Sequence, residues 1–477
     1  MPEPTPVTMT EQLRQLHSGE TTAVALMSRA IRRAEDASHL DAFLTLEPEM
    51  ALERARSVDQ ARGRGAALPT LAGLPVGVKD NIDIAGWITS GATPALAHLR
   101  AKQTGPVAQR LFDAGAIALG KTNLHELAFG VTNTNFAPIP MTRNPHDPSR
   151  ITGGSSGGTA AAIAAGIVSA GLGTDTSGSI RIPAALCGIA GLRPSVGTNG
   201  VGRRYSPRGL LPISHTNDTA GPMAVSVADL ALLDAVVTGE DPVTAAGLTG
   251  LRLGVPQCFW VDLDDEVARL CHAVCDRLTR AGAELVPVSL PSLRDAWRQV
   301  SAPVVLHEPL EDIPAWLAAH GRGDITLSAI VDQIANPDVR AAFDVVMSES
   351  LAGSYGPAMA LHRPELCRIY AAAFRDQGLA ALIFPTVPVP APPVHPADAF
   401  PRVSVNGRDH ATFDTLIRNT DPGANAGLPG LSIPAGLTRD GLPVGIEIDG
   451  RVGSDRDLLS LGMTIERIVS EGRPMVI

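Results

Sequence analysis

Residues 151–183 read ITGGSSGGTAAAIAAGIVSAGLGTDTSGSIRIP and place two clusters of glycine, serine and threonine around an alanine-rich segment. Alanine favours helix, so residues 159–169 between the clusters are predicted to be helical. Glycine beside serine permits positive φ and lets another backbone or a substrate come close. The same residues are common in turns and helix caps, which would explain either cluster alone. One short helix joins the two clusters and could bring them into contact, and such a pair favours a functional site over two separate turns.

The composition indicates one globular chain. Hydrophobic residues make up 44% and charged residues 18% of the 477 residues. No charged or low-complexity linker divides the sequence, which predicts a single domain over residues 1–477. The formal net charge of −10 argues against nucleic acid as a partner, because phosphate binding needs a basic face. The sequence also contains no apolar run long enough to span a bilayer and no secretory signal pattern, so we expect a cytoplasmic protein without membrane contact.

The cysteines do not indicate a disulfide framework or a metal site. Their number is five and they are scattered, which fits reduced thiols. Cys271 and Cys275 lie one helical turn apart, but no cluster of histidine or cysteine completes a zinc site. The glycine-rich loops lack the spacing of nucleotide-binding motifs. We therefore expect neither a metal nor a cofactor.

A lysine follows a short apolar segment early in the chain. Residues 74–78, LPVGV, predict a buried strand that ends at Lys79. This lysine could lie at the surface and pair with Asp80 or Asp83. If it is buried instead, desolvation disfavours the ammonium form and lowers the pKa, so that a neutral amine could accept a proton. A serine nucleophile needs such a base, and none of the 12 histidines lies in the two clusters.

The second cluster could also stabilise negative charge, because the chain must turn tightly before Ser179. Four backbone N–H groups could then face one concavity, those of Thr176, Ser177, Gly178 and Ser179. Such donors bind the oxyanion of acyl transfer, and losing one typically costs about 2.7–4 kcal/mol. If Lys79, Ser155 and Ser179 converge, Ser155 could relay a proton between the other two, since a hydroxyl both donates and accepts.

Three strings resemble the amidase signature family: GLPVGVKDN at 73–81, GGSSGGTAAAIAAG at 153–166 and GTDTSGSIRIPAALCGIAGLRPS at 173–195. The resemblance covers residues 71–235 and 418–465. It implies an α/β fold in which helices cover both faces of a large mixed β-sheet (α/β/α) of roughly eleven strands. We also expect a helix-rich inserted subdomain over residues 257–378.

The resemblance implies roles by position. Lys79 resembles the family's general base, Ser155 its cis-serine and Ser179 its nucleophile. Residues 176–179 correspond to the oxyanion loop. The residues that match supporting positions are Ser156, Asp175 and Arg181. The usual Gly-Gly-Ser is Ser177-Gly178-Ser179 here, and a side chain at position 177 could shift one oxyanion N–H or shape the leaving-group side of the pocket.

Three further stretches are similar to the indoleacetamide and mandelamide hydrolases of this family: residues 210–224, 257–271 and 418–450. Those enzymes cleave primary amides of arylacetic acids to the acid and ammonia, which implies a small-molecule amide as the substrate. An anilide, carbamate or urea-type substrate, a glutamine amidotransferase subunit and a non-catalytic scaffold are the alternatives. A homodimer would fit the family. The residues expected to line the pocket are Phe129, Asn133, Thr134 and Asn135, with Tyr205 and Trp260 as further candidates.

Overall fold

A mixed β-sheet of eleven strands forms the centre of the computed structural model, which describes residues 6–198, 201–395, 398 and 400–471. In chain order the strands are β1 (Phe43–Leu46), β2 (Pro75–Lys79), β3 (Ile117–Thr122), β4 (Ala170–Asp175), β5 (Ala190–Arg193), β6 (Thr219–Ala224), β7 (Arg252–Pro256), β8 (Glu284–Val288), β9 (Ala381–Pro385), β10 (Arg402–Val405), β11 (Arg408–Ala411), β12 (Gly430–Leu437) and β13 (Pro443–Asp449). Across the sheet the order is β1-β3-β2-β4-β6-β5-β12-β13-β9-β7-β8, while β10 and β11 form a separate hairpin. The prediction of a large mixed sheet is confirmed.

Helices pack on both faces of this sheet. In chain order they are α1 (Met9–Ser18), α2 (Ala23–Asp36), α3 (Pro48–Gly63), α4 (Pro106–Asp113), α5 (Gly157–Ala164), α6 (Arg181–Cys187), α7 (Val227–Thr238), α8 (Asp265–Arg280), α9 (Leu293–Arg298), α10 (Ser301–Val305), α11 (Pro309–Ala319), α12 (Leu327–Val331), α13 (Pro337–Met347), α14 (Ala352–Pro357), α15 (Arg363–Gln377), α16 (Thr412–Ile417), α17 (Asp421–Asn425) and α18 (Asp455–Ser470). Leu431 of β12 lies against Gly462 of α18, whereas the next residue, Ser432, lies beside Gly445 of β13, which packs against Ala185 of α6. Because successive strand residues point to opposite faces, α18 and α6 lie on opposite sides of the sheet, and the α/β/α architecture is confirmed.

The segment 257–378 contains helices α8 to α15. It also contains β8, which pairs with β7 at the edge of the sheet, so the segment contributes to the sheet as well. That it is an inserted subdomain within one domain stays a prediction. Within the described ranges, no helix combines the length and the apolarity needed to cross a membrane.

Two parallel strands bring the predicted site residues together. β2 pairs in parallel with β3 on one side and with β4 on the other. The carboxyl ends of parallel strands meet at one edge of a sheet, so Lys79 and Asp175, the last residues of β2 and β4, lie at the same edge. At the start of α5, Gly158 lies against the backbone of Asn123. A side chain at position 158 would overlap that backbone. Glycine therefore allows α5 to begin close to this edge.

Candidate active site

The side chain of Lys79 is fully buried at the end of β2. Its Nζ lies 2.7 Å from the Oγ of Ser155 and 2.7 Å from the Oγ1 of Thr174. Burial disfavours the ammonium form and lowers the pKa of Lys79 to about 7, although the negative charges of Asp175 and Asp218 oppose the change. The amine thus combines a lowered pKa with direct contact to two hydroxyls.

The neighbouring carboxylates have other partners. Asp80 Oδ1 lies 2.9 Å from Nζ of Lys121. Asp83 Oδ2 lies 2.9 Å from Nε2 of His320. The alternative that Lys79 is a surface lysine paired with one of these aspartates is therefore wrong, since the side chain is buried and both carboxylates are engaged elsewhere.

The first glycine–serine cluster forms a turn that leads into α5. The peptide bond between Gly154 and Ser155 is cis, and the Ser155 side chain is fully buried. The Oγ of Ser156 donates to the carbonyl of Thr174 (3.1 Å), and the Ser156 N–H donates to the carbonyl of Ser179 (3.0 Å). These two hydrogen bonds hold the first cluster, which contains Ser155, against the second, which contains Ser179.

The carboxylate of Asp175 holds the second cluster in its turn. It accepts hydrogen bonds from the N–H groups of Gly178 (2.8 Å) and Ile180 (3.1 Å). It also forms ion pairs with Arg181 and Arg193, each at 3.1 Å. Burial alone would raise the pKa of Asp175, but the two guanidinium groups keep it well below its usual range. The carboxylate is therefore charged and fixes the backbone that follows it.

Three of the four predicted oxyanion donors remain unpaired in this turn. The N–H of Gly178 is engaged by Asp175, which removes Gly178 from the predicted set. The carbonyl of Asp175 accepts a hydrogen bond from Arg193 (2.5 Å), so the N–H of Thr176 in the same planar trans peptide points the opposite way. In the part of the chain that the structure describes, the N–H groups of Thr176, Ser177 and Ser179 have no hydrogen-bond acceptor. That these three groups bind an oxyanion stays a prediction.

Asp218 was not singled out from the sequence. It accepts hydrogen bonds from the Oγ1 of Thr176 (2.6 Å) and from the N–H groups of Ile213 (2.7 Å) and Ser214 (2.9 Å). Burial raises the pKa of Asp218 to about 6, although these donors oppose the change. The only feature of the sequence that could have indicated Asp218 is its position in the stretch 210–224. Neither the spacing of residues nor the composition identifies an aspartate that anchors a loop.

A cavity of about 320 Å³ adjoins Ser179. Its polar lining comes from Thr132, Thr176, Ser177, Ser179, Ser301, Asp338 and Thr412, and its apolar lining includes Ala128, Phe129, Val131, Ile182, Ile213, Ala302, Val305, Leu306 and Ile417. A larger cavity, of about 710 Å³, borders α15 and includes none of the predicted site residues. Substrate sites are typically concave and mostly apolar with a few polar groups, as at Ser179.

Most of the predicted pocket residues lie away from this cavity. Phe129 lines it, whereas Asn133, Thr134 and Asn135 are buried in the loop that follows β3 and do not line it. Asn133 Nδ2 donates to Thr142 Oγ1 (2.6 Å), and Asn135 Nδ2 donates to the carbonyl of Leu124 (2.9 Å). A loop at this depth needs its polar groups satisfied, and these side chains meet that need.

The two further candidates are also structural. The Tyr205 hydroxyl donates to Asp234 (2.8 Å), and Trp260 Nε1 donates to the carbonyl of Ile383 (3.2 Å). Neither residue lines the cavity at Ser179. The lining that the sequence did not indicate includes three residues of α10, Ser301, Ala302 and Val305, and three of α16, Thr412, Phe413 and Ile417.

Comparison with known proteins agrees with this geometry. The amidase family model matches residues 25–459. The mandelamide hydrolase of Pseudomonas putida is 38% identical over 98% of this chain and 92% of that protein, and the indoleacetamide hydrolase of Agrobacterium vitis is 37% identical over 98% of each. A crystal structure of an amidase has a TM-score of 0.84 and 33% identity, covering 97% of this chain and 99% of that one. The chain therefore belongs to the amidase family and is an amide-hydrolysing enzyme.

Proposed function

We propose that the protein is a serine amidase in which Ser179 is the nucleophile, Ser155 relays the proton and Lys79 is the base. The observation that carries the proposal is the buried amine of Lys79, 2.7 Å from the Ser155 hydroxyl and next to the strand end that leads to Ser179. An ordinary lysine, with a pKa of about 10.4, is neutral in only about one molecule in a thousand at pH 7.4. A pKa of about 7 makes the neutral form abundant at that pH.

The chemistry balances over two steps. In the first, the Ser179 hydroxyl proton passes to Ser155 while the Ser155 proton passes to Lys79, and Ser179 Oγ bonds to the amide carbon. The tetrahedral oxyanion accepts hydrogen bonds from the N–H groups of Thr176, Ser177 and Ser179. Breakage of the C–N bond then expels ammonia, which takes a proton back from the relay. In the second step a water molecule gives a proton to the relay and bonds to the acyl carbon, the C–O bond to Ser179 breaks, and Ser179 Oγ takes the proton back from the relay as the acid leaves.

Three buried side chains support this arrangement in our proposal. Ser156 ties the two clusters together, and Asp175 shapes the oxyanion loop. Arg181 pairs with Asp175 and also with Glu447, at 2.5 Å, so that it anchors the loop to β13. Each acts through the backbone of the second cluster, because none is placed to exchange a proton with Ser179.

The proposed substrate is a primary amide of an arylacetic acid, cleaved to the acid and ammonia. The walls beside Ser179 are mostly apolar, and a cavity of about 320 Å³ accommodates an aromatic ring. The names of the two relatives, a mandelamide and an indoleacetamide hydrolase, are consistent with such a substrate. An anilide, carbamate or urea derivative is the alternative, since the same groups can attack its carbonyl carbon.

Ammonia release from phenylacetamide tests the proposal. Ser179→Ala should reduce turnover by several orders of magnitude, because removing a nucleophilic serine in a comparable triad costs about 10⁶-fold in kcat. The control is Ser169→Ala, at a buried serine just before β4. Retention of more than a few per cent of the activity by folded Ser179→Ala would overturn the assignment. Parallel assays with an acyl anilide and an aryl carbamate distinguish the substrate classes.

A further inference from the structure

Among the described residues that line the cavity beside Ser179, Asp338 is the one with an ionisable side chain. It is the second residue of α13, and its side chain is 28% exposed. Ala342, four residues later and therefore on the same face of α13, also lines the cavity. The rest of the lining consists of apolar side chains, glycine and hydroxyl groups. A carboxylate in such a wall can accept a hydrogen bond from the molecule that occupies the cavity.

A buried histidine fixes the direction of this carboxylate. Nε2 of His125 lies 3.1 Å from Oδ2 of Asp338, and the histidine side chain is 1% exposed. Nδ1 of His125 accepts a hydrogen bond from the N–H of Asn133 (3.2 Å), so the proton of the neutral ring is on Nε2, which faces Asp338. Gly130 packs against the ring, and a side chain at position 130 would overlap it. The histidine therefore donates to Asp338 from a fixed position.

The backbone just before Asp338 is held by the loop that follows β3. The N–H groups of Ala335 and Asn336 donate to the buried carboxylate of Glu126 at distances between 2.7 and 3.1 Å. The side-chain oxygen of Asn336 accepts a hydrogen bond from the N–H of Phe136 (2.8 Å). Because these contacts fix the start of α13, little conformational freedom remains for Asp338 to lose when it binds a ligand.

The carboxylate of Asp338 can accept a further hydrogen bond. His125 donates to Oδ2, and the N–H of Val339 donates to Oδ1 (2.9 Å), whereas a carboxylate offers about four acceptor sites. In the part of the chain that the structure describes, no lysine or arginine forms an ion pair with Asp338. A negative charge among mostly apolar walls attracts hydrogen-bond donors and repels anions more strongly than it would in water.

We propose that Asp338 determines the acyl specificity of the enzyme. Its carboxylate accepts a hydrogen bond from an O–H or N–H group on the acyl part of the substrate, and it excludes acyl groups that carry a carboxylate. The inference deepens the proposed function and rests on it, because it names the substrate class of the cavity at Ser179. The preferred substrates are arylacetamides with a hydrogen-bond donor on the ring. Asp338 contacts the substrate and takes no part in proton transfer.

Ammonia release from phenylacetamides with a hydroxy, methoxy or carboxy group at the meta or para position tests the inference. Methoxy keeps the oxygen of hydroxy but lacks its proton. For at least one ring position, the wild type should favour hydroxy over methoxy by about tenfold in kcat/KM, the low end for a hydrogen bond to a charged group. At that position it should cleave the carboxy compound at least about tenfold less efficiently than the hydroxy compound, because the two carboxylates repel each other.

Asp338→Asn removes the charge at almost no change in shape. The preference for hydroxy over methoxy should fall severalfold, and the discrimination against carboxy should fall about tenfold. Ratios between substrates are the readout, because a merely structural loss lowers all rates alike. Asp344→Asn is the matched control on the same helix. Its side chain is exposed, pairs with Arg340 at 3.1 Å and does not line the cavity, so this variant should keep the wild-type ratios.

The inference is wrong if the wild type cleaves hydroxy and methoxy compounds equally well at both positions. It is also wrong if Asp338→Asn melts at lower temperature but keeps the wild-type ratios, since Asp338 would then only stabilise the start of α13. Calorimetric binding of the same amides to Ser179→Ala decides the matter without turnover and without the Asp338 variant. A Kd about tenfold lower for hydroxy than for methoxy supports the inference, and equal values contradict it. The proposed function fails separately, if the folded wild type releases no ammonia from any of these amides.

Discussion

Two lysines are fully buried on neighbouring strands of this protein, and their surroundings differ. Lys121 of β3 has its Nζ 2.9 Å from a carboxylate oxygen of Asp80. Lys79 of β2 has its Nζ between the hydroxyls of Ser155 and Thr174, each at 2.7 Å. The first environment supplies an adjacent negative charge, and the second supplies hydrogen bonds without one.

The difference shows that the partner, and not burial alone, decides what a buried lysine does. Burial removes water from both amines, which disfavours the charged form. For Lys121 the direct ion pair with Asp80 compensates this cost. Because Asp80 directly follows β2, the pair is suited to hold β3 against the end of β2. For Lys79 the desolvation is offset only by more distant charges, and its pKa falls to about 7. One buried lysine is therefore structural and the other is suited to be a base.

The largest expected effect is on catalysis at Lys79. We expect Lys79→Met to reduce kcat/KM for phenylacetamide by about 10²- to 10⁴-fold, the usual contribution of a general base. The variant should be no less stable than the wild type to urea, because methionine places no polar group in this buried site. Steady-state kinetics and equilibrium unfolding check the two expectations. A folded variant with near wild-type kcat/KM would remove Lys79 from the mechanism.

The opposite pattern is expected at Lys121. Lys121→Met leaves the buried carboxylate of Asp80 without its cation, and breaking a buried pair in this way costs about 3–5 kcal/mol of unfolding free energy. Urea unfolding measures this loss, and kinetics on the folded fraction should give a kcat close to that of the wild type. A variant that kept its stability and lost its activity would contradict the structural role of Lys121.

A smaller effect is expected when the surroundings of Lys79 are made to resemble those of Lys121. Asn81 Nδ2 donates to Thr174 Oγ1 (3.0 Å), which in turn contacts Lys79 Nζ. Asn81→Asp adds a negative charge there at almost no change in shape, and such a charge raises a nearby lysine pKa by about one unit or more. For a rise of one unit the activity at about pH 7 should then fall about fivefold, since more of the amine is protonated.

The pH dependence supplies the control for Asn81→Asp. Near pH 9 the amine is largely neutral in both proteins, so the variant should approach the wild-type rate. An equal loss at both pH values would mean that the substitution disturbs the site without changing the protonation of Lys79.

Local patterns in the sequence predict much of the fold and the centre of the site. The glycine–serine clusters around α5 predict that Ser155, Ser156 and Ser179 meet, because two turns joined by one short helix have few arrangements. The apolar strand that ends at Lys79 predicts burial, but the sequence could not exclude pairing with Asp80. Only the three-dimensional structure shows that Lys121 takes that partner, since the two residues lie on different strands.

The pocket and the supporting contacts could not be predicted in the same way. Ser301 Oγ donates to Asp421, which lies 120 residues away in sequence, and no periodicity links the two residues. Asn133 and Asn135 looked suitable for substrate because polar residues in loops often bind ligands. In this buried loop their amides instead satisfy neighbouring polar groups, which a pattern of residue types cannot distinguish.

The pH dependence of Ser179 labelling by a fluorophosphonate tests the central claim most directly, because the reagent needs both an activated nucleophile and a neutral base. We expect one labelled peptide, containing Ser179. Its labelling rate should rise about tenfold per pH unit at low pH and level off above about pH 7, as Lys79 loses its proton. A rate that keeps rising to about pH 10, as for an ordinary lysine, or no label on the folded protein, would contradict the account.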